Sequence, residues 1–150
     1  MARKKAPELK FQEHIADFLV REHGYGVLEK ADITDTEHFI AEDQLWAFLN
    51  ATQAETLKKL KDDYGTDARE EVFRALRREL EHLPLWMIFR QGLQVLGLEF
   101  HLYYPKPRSL ESAAAAGYRE NRITFRPHFY FGETNQEIDF VLFLNGLPIV

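Results

Sequence analysis

The sequence contains no cysteine. Disulfide bridges, thiolate nucleophiles and cysteine-based zinc sites are therefore excluded, and any metal ion would have to be held by oxygen atoms or imidazoles. The sequence also lacks any apolar run near the roughly 20 residues that cross a bilayer, and no apolar signal-peptide core follows the basic start MARKKAPELK. We therefore expect a cytoplasmic protein with no membrane partner.

Two further kinds of site have no support in the sequence. The six histidines show neither the H-x-E nor the H-x-x-x-H spacing of metal sites. Gly24-Tyr25-Gly26 lacks the lysine of a phosphate-binding loop and is more typical of a helix end. We therefore expect no ATP site within these residues.

The composition indicates one ordinary globular domain. The chain has 150 residues, of which 45% are hydrophobic and 29% charged. Its formal net charge of -5 argues against a free-standing, tight nucleic-acid binder, because such binding draws on excess lysine and arginine. The charge is uneven, however, since residues 101–131 carry five basic side chains and two acidic ones. That stretch could still face phosphate.

The pattern of apolar residues predicts an α+β protein. Helical spacing dominates residues 1–97, and shorter, strand-like patterns dominate 98–150. The first helix should begin near Pro7, and two short helices should be hinged at Asn50–Thr52. Another should follow Thr66-Asp67, and a last one should run from Pro84 to Gly97. Trp46 and Trp86 fall on the apolar stripes of these helices, which predicts that both pack in the core.

The second part of the chain predicts a small mixed or antiparallel sheet. ITFRPHFYFG alternates between apolar and polar residues, and Pro127 favours an edge position or a bulge. IDFVLFLNG is apolar on both faces, which is typical of a central strand. Asn145-Gly146 is a strong hairpin signal, so LPIV should pair back along VLFL.

Asp139 is the residue that most needs explaining in this sheet. It lies between Ile138 and Phe140 and shares a strand face with Val141 and Phe143. Burying an unpaired carboxylate costs several kcal/mol, so the group must be protonated, hydrogen-bonded, paired or bound to a metal. One interpretation is a structural acid satisfied by backbone amides or an arginine. The other is a ligand of a divalent cation, which takes oxygen ligands.

A family resemblance bears on this choice. The stretch NRITFRPHFYFGETNQEIDFVLFLNGLPIV, with LPLWMIFRQGL and FHLYYPKP upstream, resembles the N-terminal region of the endonuclease and motor (R) subunit of type I restriction enzymes. The similarity is strong over about residues 123–150, moderate over 85–107 and weak before that. In that family the segment belongs to a PD-(D/E)xK nuclease domain.

The resemblance implies Mg²⁺-dependent cleavage of double-stranded DNA. Its pattern places Asp139 as a catalytic and metal-binding residue, and its Glu-x-Lys pair would begin just past Val150. We therefore expect an incomplete nuclease core that is inactive by itself. The implied partners are methyltransferase and specificity subunits of a restriction complex, with ATP bound only by motor domains outside this chain.

Other site residues are expected from the resemblance and from the local pattern. The family's first-helix glutamate would correspond to Glu13, but Glu13 lies opposite the apolar side of its helix, which favours a solvated surface acid. A strand face with cations and aromatic residues suits DNA contact. The candidate DNA-binding residues are Arg122, Arg126, His128, Lys106 and Arg108. Ordinary solvated surface is the alternative for all five.

The hairpin gives a separate test of the inherited site. With a two-residue turn at Asn145-Gly146, Leu144 would oppose Leu147, and a glutamate three residues past Val150 would point away from Asp139's face. With a three-residue loop, both acids would share a face. We therefore predict a three-residue loop with Gly146 at positive φ. The alternative function is a non-catalytic docking module in which Asp139 is structural.

Overall fold

The protein is a mixed α+β structure, as the sequence predicts. In the computed structural model the backbone is described for residues 6–130 and 137–149, and side chains for 14–127 and 140–149. The helices are α1 (Ala6–His23), α2 (Glu42–Thr52), α3 (Ala54–Tyr64), α4 (Ala68–Leu80), α5 (Leu85–Gln91) and α6 (Ala114–Glu120). The strands are β1 (Gly26–Val27), β2 (Leu93–Val95), β3 (Leu98–Phe100), β4 (Ile123–Tyr130), β5 (Glu137–Leu144) and β6 (Leu147–Pro148).

The chain folds into two compact units. The first unit combines residues 1–41 with 122–150, and the second comprises 42–121. The expected order of a helical part followed by strands therefore differs from the division in space, because α1 belongs to the same unit as β4, β5 and β6.

A four-stranded sheet in the order β1-β4-β5-β6 forms the centre of the first unit. β4, β5 and β6 are antiparallel neighbours, whereas the short β1 pairs in parallel with β4 through Gly26 and Val27. The predicted central position of IDFVLFLNG is confirmed, since β5 lies between two other strands. One apolar core of this unit contains Leu28, Ile33, Ala41, Val141 and Phe143.

The second unit contains helices and a two-stranded hairpin. α2, α3 and α4 follow one another with short connections, and the predicted break near Asn50–Thr52 is confirmed by the single residue Gln53 between α2 and α3. The helices bury apolar side chains on one stripe each. These include Leu45, Phe48, Leu49, Leu57, Leu60, Val72, Phe73 and Leu76.

The prediction of a helix from Pro84 to Gly97 is wrong at its end. Pro84 does precede α5, but the helix stops at Gly92, which has φ 82°. Leu93–Val95 then forms β2, which pairs with β3 across a turn at Leu96 and Gly97. Glycine at Gly92 allows the left-handed conformation that ends a helix, and the three residues after it are too few for their period to decide between helix and strand.

The predicted edge strand or bulge at Pro127 is not found, since β4 lies between β1 and β5, but β1 does not reach Pro127. β1 pairs only with Thr124 and Phe125, so within the described sheet Pro127 lies beyond the end of β1. The β4–β5 register continues through Pro127 opposite Phe140 without an inserted residue. A missing N–H therefore costs no ladder hydrogen bond on the β1 side.

Within the described parts of the chain, no helix combines the length and the apolar character needed to cross a membrane.

Candidate functional site

The backbone places Asp139 in the interior strand of the sheet. β5 carries Asp139 in its third position, and its side chain lies outside the described residues. The flanking pairs Pro127 with Phe140 and Phe129 with Ile138 set His128 opposite Asp139 in the β4–β5 ladder. Directly opposed residues of antiparallel strands share a face. The candidate acid and the candidate histidine therefore belong to one side of the sheet, a relationship that the sequence prediction did not include.

That side of the sheet is largely covered near the turn. Thr124, Val141 and Phe143 lie on it by register, and all three are buried. Val141 and Phe143 pack with Leu28, Ile33 and Ala41. The strand position of Asp139 is therefore two residues from a closed apolar core.

Arg126 occupies the position between Thr124 and His128 on the same face. It is half-buried, and its Nη1 donates a hydrogen bond to the backbone carbonyl of Leu28 at 3.2 Å. The guanidinium therefore anchors the segment after β1 to the sheet. A guanidinium has five N–H donors, so Arg126 can bind further acceptors besides the carbonyl of Leu28.

The other predicted site residues fall in different places. Arg122 has an exposed side chain just before β4. Lys106 and Arg108 are also exposed, but they belong to the second unit. Glu13 lies in α1, and its side chain, like that of His128, is outside the described residues. The structure thus brings Arg122, Arg126, His128 and Asp139 onto one unit and leaves Lys106 and Arg108 on the other.

The prediction of a three-residue loop is wrong. Leu144 pairs directly with Leu147, and Phe143 pairs with Pro148, so Asn145 and Gly146 form a two-residue turn. Both have positive φ, 52° and 82°, as a type I′ turn requires, so the expected positive φ of Gly146 is confirmed. The Ile149 N–H donates to Leu142 O at 2.8 Å, which continues the same register.

This register bears on the inherited catalytic pair. If it continued unchanged, a glutamate three residues past Val150 would face the side opposite Asp139. A one-residue bulge after Ile149 would bring the two acids to one side, since a bulge shifts the alternation by one. The inherited site therefore requires such a bulge.

The described residues alone do not make a magnesium site. No group of three or more histidine, aspartate or glutamate side chains gathers anywhere in the described parts of the chain. Magnesium prefers several oxygen ligands, and the backbone of β5 places two acids, Glu137 and Asp139, on this face. Any ion there would depend on acids outside the described residues.

Two polar features of the first unit were missed by the sequence prediction. The buried carboxylate of Asp35 accepts hydrogen bonds from the backbone N–H groups of Glu37 and His38, at 3.1 Å and 2.9 Å. The His38 Nδ1 lies 3.3 Å from the same carboxylate. These hydrogen bonds stabilise a tight turn, and a backbone bridge between Asp35 and Ile40 closes that turn. Thr124 Oγ1 is buried without a hydrogen-bond partner in the described structure, beside Gly26.

The second unit has a polar cleft of about 490 Å³ around Tyr104. Thr52, Gln53, Glu55, Glu99 and His101 also line it. Gln53 is fixed there because its Nε2 donates to His101 O at 2.8 Å and its Oε1 accepts from His101 N–H at 2.7 Å. Burial raises the pKa of Tyr104, while a hydrogen bond with Thr52 acts in the opposite direction.

Comparison with protein-family models, curated proteins and solved structures finds no match for this chain.

Proposed function

We propose that this chain contributes the N-terminal part of a Mg²⁺-dependent DNA endonuclease of the type I restriction kind, with Asp139 holding the metal ion. The observation that carries the proposal is the position of Asp139 in the interior strand β5, opposite His128 and on the face of Arg126. A carboxylate on this face, two residues from the buried Val141, would be stabilised by a nearby positive charge, and a divalent cation supplies one.

The electrostatics of the same face support a phosphate substrate. Arg126 lies two positions from His128 along β4, and Arg122 precedes the strand with an exposed side chain. Cations beside a metal-binding acid would hold the phosphodiester that the metal activates. In the complete restriction complex, recognition and modification of DNA would belong to the methyltransferase and specificity subunits, and ATP to the motor domains.

A direct test uses the full polypeptide, including the family's Glu-x-Lys segment, in a Mg²⁺-dependent plasmid-nicking assay. Asp139→Asn should lower nicking by at least about a hundredfold, since even supporting residues around a metal cost about 10- to 100-fold. Asp62→Asn is the matched control, because Asp62 is an exposed acid at the end of α3. Wild-type nicking by the Asp139→Asn protein would rule out the catalytic role.

A non-catalytic docking module is the second candidate, and the direct pairing of Leu144 with Leu147 favours it. Under this second function, Asp139 is a structural acid whose carboxylate is satisfied by hydrogen bonds and binds no metal ion. Thermal unfolding in chelator separates the two. Asp139→Asn should lower the free energy of unfolding by about 1–3 kcal/mol for a structural acid. For a metal ligand it should leave that free energy unchanged or raise it, because it removes an uncompensated charge.

A further inference from the structure

A second cleft in the unit of residues 42–121 has a composition suited to an anion with an aromatic body. Its volume is about 550 Å³. Trp46 of α2, Lys61 of α3 and Arg69 of α4 line it, and the turn between α3 and α4 completes it through Gly65 and Thr66. No carboxylate is among its lining residues. The cleft therefore offers cations and apolar surface together.

Both cations are held against the indole of Trp46. The Lys61 Nζ lies 5.5 Å from the ring centroid, and the Arg69 Cζ lies 5.8 Å from it. Such contacts fix the direction of long, flexible side chains. The two charges are thus positioned on one aromatic surface before any ligand arrives, which lowers the entropy lost on binding.

The two cations differ in how far their charge is already compensated. Arg69 donates a hydrogen bond to Asp43 Oδ1 at 2.5 Å and also contacts the Phe73 ring at 5.7 Å. Lys61 is exposed and has no ion pair with any described residue. Asp43 therefore compensates Arg69 alone, and the cleft retains the positive charge of Lys61.

The rest of the lining leaves room for a flat group. Trp46 is half-buried rather than buried, in contrast to the predicted core position, and Ala68 beside it is buried. Gly65 has φ 57°, and a Cβ built on it would meet nothing within 4 Å. A flat aromatic group can therefore approach the indole edge and the glycine backbone, while Thr66 adds a hydroxyl.

We propose that this cleft binds a nucleotide, with the base against Trp46 and Ala68 and the phosphate between Lys61 and Arg69. Aromatic contact with the base, here at the indole edge because Lys61 and Arg69 lie over the ring, and phosphate contact by lysine and arginine are two interactions with which proteins bind nucleotide units. The nucleotide is either free or part of a DNA strand. The proposal is independent of Asp139, which belongs to the other unit.

The fluorescence of Trp46 provides the measurement. Trp86→Phe removes the second tryptophan, which is 61% exposed, and makes Trp46 the single reporter. In that background the protein is titrated with deoxyadenosine 5′-monophosphate, with a single-stranded deoxyadenosine oligonucleotide, and with inorganic phosphate. A saturable change with the mononucleotide identifies a free nucleotide as sufficient, and a change with the oligonucleotide alone identifies a strand.

Three substitutions test the assigned contacts. Lys61→Gln should weaken binding about tenfold, as expected for the loss of one charged hydrogen bond. Asp43→Asn should strengthen it by about threefold, because it frees Arg69 from an exposed ion pair. Lys58→Gln, an exposed lysine of α3 outside the cleft, should leave it unchanged.

Several results would overturn the proposal. These are the absence of a saturable change with either nucleotide ligand, an equal change with inorganic phosphate alone, and equal affinity in the Lys61→Gln and Lys58→Gln proteins. The last result would mean that Lys61 only covers the indole. Circular dichroism of each variant confirms that the helices are intact before the affinities are compared.

Discussion

Asn145 and Arg122 are joined by two hydrogen bonds, of which one uses a side chain in place of a backbone carbonyl. The Asn145 N–H donates to Arg122 O at 2.8 Å, and the Arg122 N–H donates to Asn145 Oδ1 at 2.7 Å. Asn145 is the first residue of the two-residue turn, with φ 52°, and its side-chain amide oxygen supplies the acceptor for Arg122. The β4–β5 ladder thereby gains one more pair beyond Ile123 and Leu144.

Two replacements of Asn145 should separate the stability contributed by its side-chain hydrogen bond from the stability lost to left-handed backbone strain. Asn145→Gly tolerates positive φ but removes the acceptor, so we expect a loss of about 1–2 kcal/mol in the free energy of unfolding. Asn145→Ala removes the acceptor and adds left-handed strain of about 1–2 kcal/mol. Urea unfolding of both proteins measures the difference. Equal stability of the alanine variant and the wild type would contradict the role of this side chain.

The β2–β3 turn should be improvable by substitution. Leu96 has φ 49° and its side chain is 54% exposed, so it is strained without being buried. Asparagine adopts this conformation more readily and forms the preferred pair with a following glycine. Leu96→Asn should therefore raise the free energy of unfolding by about 1 kcal/mol. Leu98→Asn, at a half-buried strand position, is the control and should lower it.

Gly117 should resist the usual helix-stabilising substitution. A Cβ at this position would lie 2.8 Å from ring atoms of Tyr104, although the helix α6 would otherwise favour alanine by about 1 kcal/mol. Tyr104 cannot easily move, because Asn121 bonds its backbone on both sides and Phe48 contacts its ring. We expect Gly117→Ala to destabilise the protein.

The same substitution in a Tyr104→Ala background serves as the control for Gly117. With the ring removed, Gly117→Ala should regain the helix propensity of alanine and stabilise the protein relative to Tyr104→Ala alone. Thermal unfolding of the four proteins completes the double-mutant cycle. An identical effect of Gly117→Ala in both backgrounds would mean that the ring contact carries no energy.

Tyr104 should make the protein more sensitive to alkaline pH. Burial raises its pKa above the ordinary value of 10.0, because burial disfavours the phenolate. A folded pKa above the unfolded one contributes stability that is complete below pH 10.0 and is lost as the pH rises through the folded pKa. The free energy of unfolding of the wild type should therefore fall more steeply above pH 10.0 than that of Tyr104→Phe. Parallel curves would contradict this.

Long, periodic elements were predictable from the sequence, whereas short turns were predictable only in part. Pro7 and the Gly24 turn mark α1 correctly, since both effects are local to the chain. The β2–β3 hairpin was missed because Leu96 lacks the usual turn chemistry. The two-residue turn at Asn145-Gly146 follows the local Asn-Gly signal, and the three-residue loop was expected only because the inherited acid pair required it.

The candidate site was predictable by residue type but not by arrangement. The sequence pattern identified Asp139 and the cationic strand, yet only the register sets His128 opposite Asp139. The bond of Arg126 to Leu28 joins residues 98 apart, so the local sequence holds no indication of it. Trp86 was expected in the core and is exposed, because an apolar stripe does not show whether another element covers it.

The Asn145-Gly146 turn also has a chemical consequence for ageing of the protein. In an open chain the glycine nitrogen can attack the asparagine side-chain carbonyl with little steric hindrance, which releases ammonia and leaves an acidic residue. In the folded hairpin that carbonyl oxygen is held by Arg122 N–H at 2.7 Å, in a side chain with no exposed surface. The deamidation rate at Asn145 should therefore depend on how often the hairpin opens. The small increase in mass of the 150-residue chain over time would measure this local unfolding.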